Sequence, residues 1–105
     1  MRVDKYLKVA RILKRRTIAK ELAENERILI NGHFAKPSSD IKVGDEIVII
    51  FGRRRLGIKV LSVEEVKKKE EASDLYEIVF EEKNNSIESE EEEWYKKYEE
   101  DIWLK

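Results

Sequence analysis

Residues 1–16 read MRVDKYLKVARILKRR, and their spacing predicts a short helix with two faces. At about 100° per residue, Val3, Tyr6, Leu7, Ala10 and Leu13 fall on one side, the spacing of a core-facing stripe. Lys8, Arg11 and Arg15 fall in a second wedge roughly 60° wide. Arg2 stands at the start, and Lys14, Arg15 and Arg16 run together at the end. A helix that packs with one face and presents cations on another suits a phosphate backbone. The same pattern describes an ordinary solvated amphipathic helix.

The residues that follow extend the pattern. Thr17 is placed to cap a second helix, in which Ile18, Ala19, Leu22 and Ala23 recur at helical spacing. Lys20, not Glu, stands three residues on, so there is no full capping box. Two such helices meeting near Arg15 and Arg16 leave a basic corner exposed. Ile28 to Ile30, then Asn31-Gly32, then His33 to Lys36 read as a hairpin, because Asn and Gly both tolerate positive φ. Pro37 to Asp40 break the pattern, and Val43-Gly44-Asp45 turn into the strand EIVIIF at 46–51. Arg53-Arg54-Arg55 form a basic tip before a returning strand, LGIKVLSV, at 56–63. LYEIVF at 75–80 is a last strand, with Leu75 or Tyr76, Ile78 and Phe80 available to the core. The order is α-α-β-β-β-β with an acidic tail. This is an α+β fold, two helices on a small, curved, mostly antiparallel sheet. Residues 1–83 form the domain, and 84–105 an acidic extension in which Trp94, Tyr95, Tyr98, Ile102 and Trp103 lie near one face of a possible terminal helix.

A formal net charge of −1 hides a segregation. Through Lys69, Lys and Arg number 18 against 9 acidic residues; from Glu70 onward the counts are 4 against 14. A basic body points to a polyanionic partner. The 105 residues suffice for one core, and the absence of cysteine excludes a disulfide framework and a zinc ribbon. The charged N-terminus lacks the apolar run of a signal peptide, and no stretch has the length of a membrane span, so a cytoplasmic location is expected.

Arg2-x-Asp4-x-x-Leu7, the basic cluster with Thr17 and Ala19, Ile28-x-Ile30-Asn31-Gly32, and Ser38-x-x-Ile41-x-x-Gly44-Asp45-x-Ile47 occur in that order. Together they resemble the RNA-binding domain of ribosomal small-subunit protein S-four, the alpha-L motif, over residues 1–51. The opening stretch, the whole-chain order and the LYEIVFEEK ending are most similar to its free-standing members of the Hsp-fifteen and RqcP type. The resemblance implies an RNA-binding factor that docks on the large ribosomal subunit carrying peptidyl-tRNA. It also implies a role in ribosome-associated quality control, beside an RqcH-like factor that adds C-terminal alanine tails. The expected partners are large-subunit ribosomal RNA and tRNA or peptidyl-tRNA, with no membrane and no small-molecule substrate. The acidic extension is longer than that group leads one to expect.

On this reading Arg2, Lys8, Arg11, Lys14, Arg15, Arg16, Thr17 and Lys36 are the RNA-binding candidates. Arginine's planar fork grips phosphate through two hydrogen bonds. Thr17 serves as a helix cap or reaches a phosphate. Asp4 caps the first helix or orients Arg2 or Arg11. Arg53, Arg54 and Arg55 are a second RNA contact or a charged tip that keeps a sheet edge soluble. The tail aromatics stand among glutamates that repel RNA, so packing on the domain, another chain or a protein partner fits them better than base stacking.

No catalytic constellation is visible. The single histidine, His33, has no partner motif, no Walker or dinucleotide loop occurs, and no metal or cofactor is implied. The chain reads as a binding module and not an enzyme. Two other readings are an RNA binder of the same fold acting in ribosome assembly or tRNA handling, and a protein-interaction adaptor using the tail.

Overall fold

The computed structural model describes residues 1–51, 54–64 and 74–83. The expectations for Arg53, for 65–73 and for the tail at 84–105 lie outside these residues. The described elements are α1 (Val3–Val9), α2 (Arg16–Glu24), β1 (Ile28–Ile30), β2 (His33–Phe34), β3 (Glu46–Phe51), β4 (Arg54–Val60) and β5 (Tyr76–Lys83). The strands form one antiparallel sheet in the order β2-β1-β3-β4-β5. The α+β class is as expected, and the five strands are the two arms of the hairpin and the three later strands read from the sequence.

The first helix stops at Val9, not at Arg16. The Arg11 N–H donates to the Lys8 carbonyl and the Ile12 N–H to the Leu7 carbonyl, with Arg11 at φ 59°. This is a Schellman ending, in which a left-handed residue lets the turn satisfy the last carbonyls. The turn throws Ile12 back onto Leu7, and both are fully buried. The helix α2 ends the same way, with Glu26 at φ 59° and the Arg27 N–H on the Leu22 carbonyl. Neither left-handed residue is glycine, so the stop signals were invisible to a search for Gly or Pro. The predicted wedge of Lys8, Arg11 and Arg15 therefore does not form on one helix. Leu13 still reaches the core, by way of the turn. Thr17 is not a cap, because Arg15 occupies the N-cap position and Thr17 is an exposed residue of the first turn.

The hairpin turn is as predicted, with Asn31 at φ 51° and Gly32 at φ 84°. The Asn31 side chain accepts from the Glu46 N–H at 2.9 Å and donates to Asp45 at 3.1 Å, which pins the turn to the entry of β3. Asp45 also accepts from the Lys42 N–H, closing the turn at Gly44, whose φ of 95° only glycine adopts readily. Along β3, Ile47, Ile49 and Phe51 are buried while Glu46, Val48 and Ile50 are not. One sheet face thus joins Val3, Leu7, Leu13, Ile18 and Leu22 of the helical layer in a single core.

β4 begins two residues earlier than predicted and ends at Val60. In β5 the expectation for Ile78 is corrected: it is 53% exposed, and its neighbour Val79 is 51% exposed. Ile78 lies opposite the buried Ile58 but on the edge strand of the sheet. A register shift at Gly57/Ile58 leaves Val79 as an extra residue, so Phe80, opposite Gly57, falls on the other face and its expected place in the core is corrected as well. Phe80 crosses over Gly57, where any Cβ would run into its ring. Leu75, just before β5, is buried as predicted, and its carbonyl accepts from the Tyr6 hydroxyl at 2.5 Å and from the Leu61 and Ser62 N–H groups.

That contact ties the first helix to the last strand. Burial, reinforced by neighbouring Tyr76, pushes the Tyr6 hydroxyl well above the usual tyrosine range, and burial pushes Tyr76 up as well. A proton held more tightly in the folded state stabilises it fully below the unfolded value near 10. The contribution is lost as pH rises from there. Tyr6→Phe is expected to cost about 1 kcal/mol at neutral pH and to flatten the loss of stability above pH ~10. Urea melts of both proteins across that pH range check both effects.

Candidate nucleic-acid interface

The helix α1 has no side-chain cap. Its free first-turn N–H groups are met by the loop after β2. The Val3 N–H donates to the Ser39 carbonyl at 2.8 Å, and the Asp4 N–H to the Pro37 carbonyl at 3.4 Å. Asp4 satisfies the next group itself, its Oδ1 accepting from the Lys5 N–H at 2.7 Å. The loop held in this way brings Lys36 beside the start of α1. Lys36 is exposed, and its N–H donates to Ser39 Oγ.

The Asp4 carboxylate is the organising group. Its side chain is 3% exposed, yet it meets two arginines, Arg2 at 3.1 Å through Oδ2 and Arg16 at 3.3 Å through Oδ1. The arginine side chains are 48% and 44% exposed. Arg2 is the N-cap residue of α1 and Arg16 the first residue of α2. One carboxylate therefore gathers cations from the starts of both helices. Each guanidinium meets it through one terminal nitrogen, leaving donors of the fork for another acceptor.

Of the sequence candidates, the structure brings together Arg2, Arg16 and, through the loop, Lys36. Lys14 and Arg15 are exposed and immediately precede Arg16. Lys8 is exposed one turn along α1 from Asp4, on the same face. Arg11 is exposed on the left-handed turn, and of the roles offered for Asp4 neither orienting Arg11 nor capping α1 is met, while orienting Arg2 is. Thr17 is exposed beside Arg16. Arg54 and Arg55 stand apart, on β4, where Arg55 lies opposite Glu82 in register. The contact between Asp4 and Arg16 was missed by sequence reasoning. No helical spacing links positions 4 and 16, and only the Schellman turn returns the chain to that point. Among the described residues no cluster of His, Cys, Asp or Glu is placed to hold a metal, and no helix is long and apolar enough to cross a membrane.

Comparison with known proteins places these observations. The family model for the S4 domain matches residues 1–47. Over 81 residues the chain is 54% identical to an RQC P-site tRNA stabilizing factor of Streptococcus pneumoniae, covering 77% of this chain and 92% of that protein. It is 52% identical over 83 residues to the protein of the same name from Bacillus subtilis, covering 79% and 96%. Among solved structures it is similar to the trimeric Heat Shock Protein 15 of Vibrio cholerae, with a TM-score of 0.69 and 30% identity over 75% of this chain and 81% of that one.

The shared carboxylate makes a stability prediction. Removing either arginine leaves Asp4 with one partner, so Arg2→Ala and Arg16→Ala are each expected to cost about 1 kcal/mol or less. Removing both strands a buried carboxylate and is expected to cost about 3 kcal/mol, more than the two singles together. Denaturant melts of the three variants measure the difference.

Proposed function

The chain belongs to the family of RQC P-site tRNA stabilizing factors, and we propose that it binds structured RNA through the arginines gathered by Asp4. On this reading it docks on a large ribosomal subunit that still carries peptidyl-tRNA, and it steadies that tRNA during ribosome-associated quality control. Arg2 and Arg16 are the central contacts, with Lys8, Arg11, Lys14, Arg15, Thr17 and Lys36 flanking them. Large-subunit ribosomal RNA and an RqcH-like tailing factor are the further partners, and the work is done in the cytoplasm.

The observation that carries the reading is the pair of half-exposed arginines held by one buried carboxylate. The pair lies inside the stretch that matches the S4 domain. A double-stranded RNA helix offers phosphates and 2′-hydroxyls across a wide, shallow minor groove, and little else that side chains reach. Pre-set guanidinium forks suit those acceptors, because little side-chain freedom is left to lose on binding. Such a module acts by holding RNA in place and makes or breaks no bond, which is why it is proposed as a binder and not an enzyme.

Two measurements test this. In vitro, binding to structured RNA is expected to weaken steeply with salt, each neutralised phosphate contributing about 0.7–0.9 to the log–log slope. Arg16→Ala is expected to weaken binding and reduce that slope by about 1. In its own cells, the tagged protein is expected to co-purify with large-subunit RNA, tRNA and an RqcH-like factor, and Arg16→Ala to lose them. Small-subunit precursors, free tRNA alone, or proteins without RNA would contradict the proposal.

A further inference from the structure

The sheet face turned away from the helices carries an apolar row that the RNA reading does not use. The register sets Phe34, Leu29, Val48, Gly57 and Phe80 side by side across all five strands. Phe34 is 61% exposed, and Leu29, Val48 and Phe80 are half-buried. Ile50, one row along, is half-buried too. The charges of this face are set against each other: Glu46 and Glu77 flank Lys59, and Arg55 lies opposite Glu82. The face is therefore a continuous apolar band between balanced charges, an arrangement that marks a covered surface more often than a bare one.

The chain itself supplies a cover. β5 is the edge strand and ends at Lys83, which pairs with Arg54. From there 22 residues remain, and in sequence they are glutamates followed by apolar aromatics: Glu90 to Glu93, then Trp94, Tyr95, Tyr98, Ile102 and Trp103. They start at the basic end of the sheet, where Arg54 and Arg55 lie and the sequence adds Arg53. The sheet is about 19 Å across at roughly 4.8 Å between strands, and a chain of this length spans that distance whether extended or helical. The matches to the Streptococcus and Bacillus proteins take in nearly all of those proteins but only about four fifths of this one, so a stretch of this size has no counterpart there.

We propose that residues 84–105 dock across the outer face of the sheet, their aromatic side chains covering the row from Phe34 to Phe80. Glu90 to Glu93 meet the basic start of β4, where Arg54 and Arg55 lie. The tail is then a second layer on the domain, on the side opposite the helices, and leaves the Asp4 cluster open.

Both tryptophans of the protein, Trp94 and Trp103, lie in this segment, so intrinsic tryptophan emission of the full chain reports on it alone. The expected emission is to the blue of the guanidinium-unfolded chain, with weaker acrylamide quenching, and both are independent of protein concentration. Val48→Lys and Phe34→Ser are expected to shift emission and quenching toward the unfolded values while the far-UV circular dichroism is kept. If Val48→Lys loses the fold, Phe34→Ser decides, since that side chain is mostly exposed already. Emission already at the unfolded value overturns the proposal. So does protection that neither variant moves but Arg16→Ala or high salt removes, which places the tail on the basic cluster. Protection that grows with protein concentration also overturns it, in favour of a second copy of the chain.

Discussion

A carboxylate removed from water must be hydrogen-bonded and paired, or it is not tolerated. Asp4 meets that demand with one backbone N–H and two arginines drawn from the starts of both helices. Much of the surrounding geometry follows from it. The loop at 37–39 closes over the first turn of α1, with its carbonyls on the Val3 and Asp4 N–H groups. Arg16 is brought to the same point as Arg2, although twelve residues and a change of chain direction separate it from Asp4. Repulsion between two neighbouring guanidinium groups is offset by the anion between them. A basic corner that a purely cationic sequence would splay apart is therefore held in one arrangement.

Much of this was legible in the sequence, and the parts that were not have specific causes. The apolar positions of both helices, the Asn31-Gly32 turn and the alternation in β3 rest on local periodicity and turn chemistry, and these survive folding unchanged. The end of α1 was misread because its left-handed residue is Arg11, and an arginine carries no stop signal. The place of Phe80 is hidden because a register shift between paired strands cannot be seen from one strand alone, and that of Ile78 because alternation does not show which strand is the edge. The basic residues were legible as a group, but not their roles. Composition shows that Arg2, Lys8, Arg11, Arg15 and Arg16 are cations, while only the fold shows that Arg2 and Arg16 share one anchor. The sequence offers Asp4 as a cap of the first helix or as orienting Arg2 or Arg11, and it orients Arg2 and Arg16.

The domain has two unlike surfaces. The helical side carries the cation cluster on a frame fixed by the core and by the Tyr6 contact to Leu75. The outer side of the sheet carries balanced charge and an apolar band. β5, the described part of the acidic half, is the edge strand at the opposite side of the sheet from β2.

The central claim is that Asp4 makes the arginines effective by placing them. The measurement that tests it most directly is the affinity of Asp4→Asn for structured RNA across a salt series, with the melt recorded alongside. Removing a negative charge from a basic site strengthens polyanion binding if charge alone matters. The account predicts the reverse: weaker binding than the parent protein at every salt concentration, despite the added positive charge and with the fold retained. Equal or tighter binding by a folded Asp4→Asn protein would contradict it.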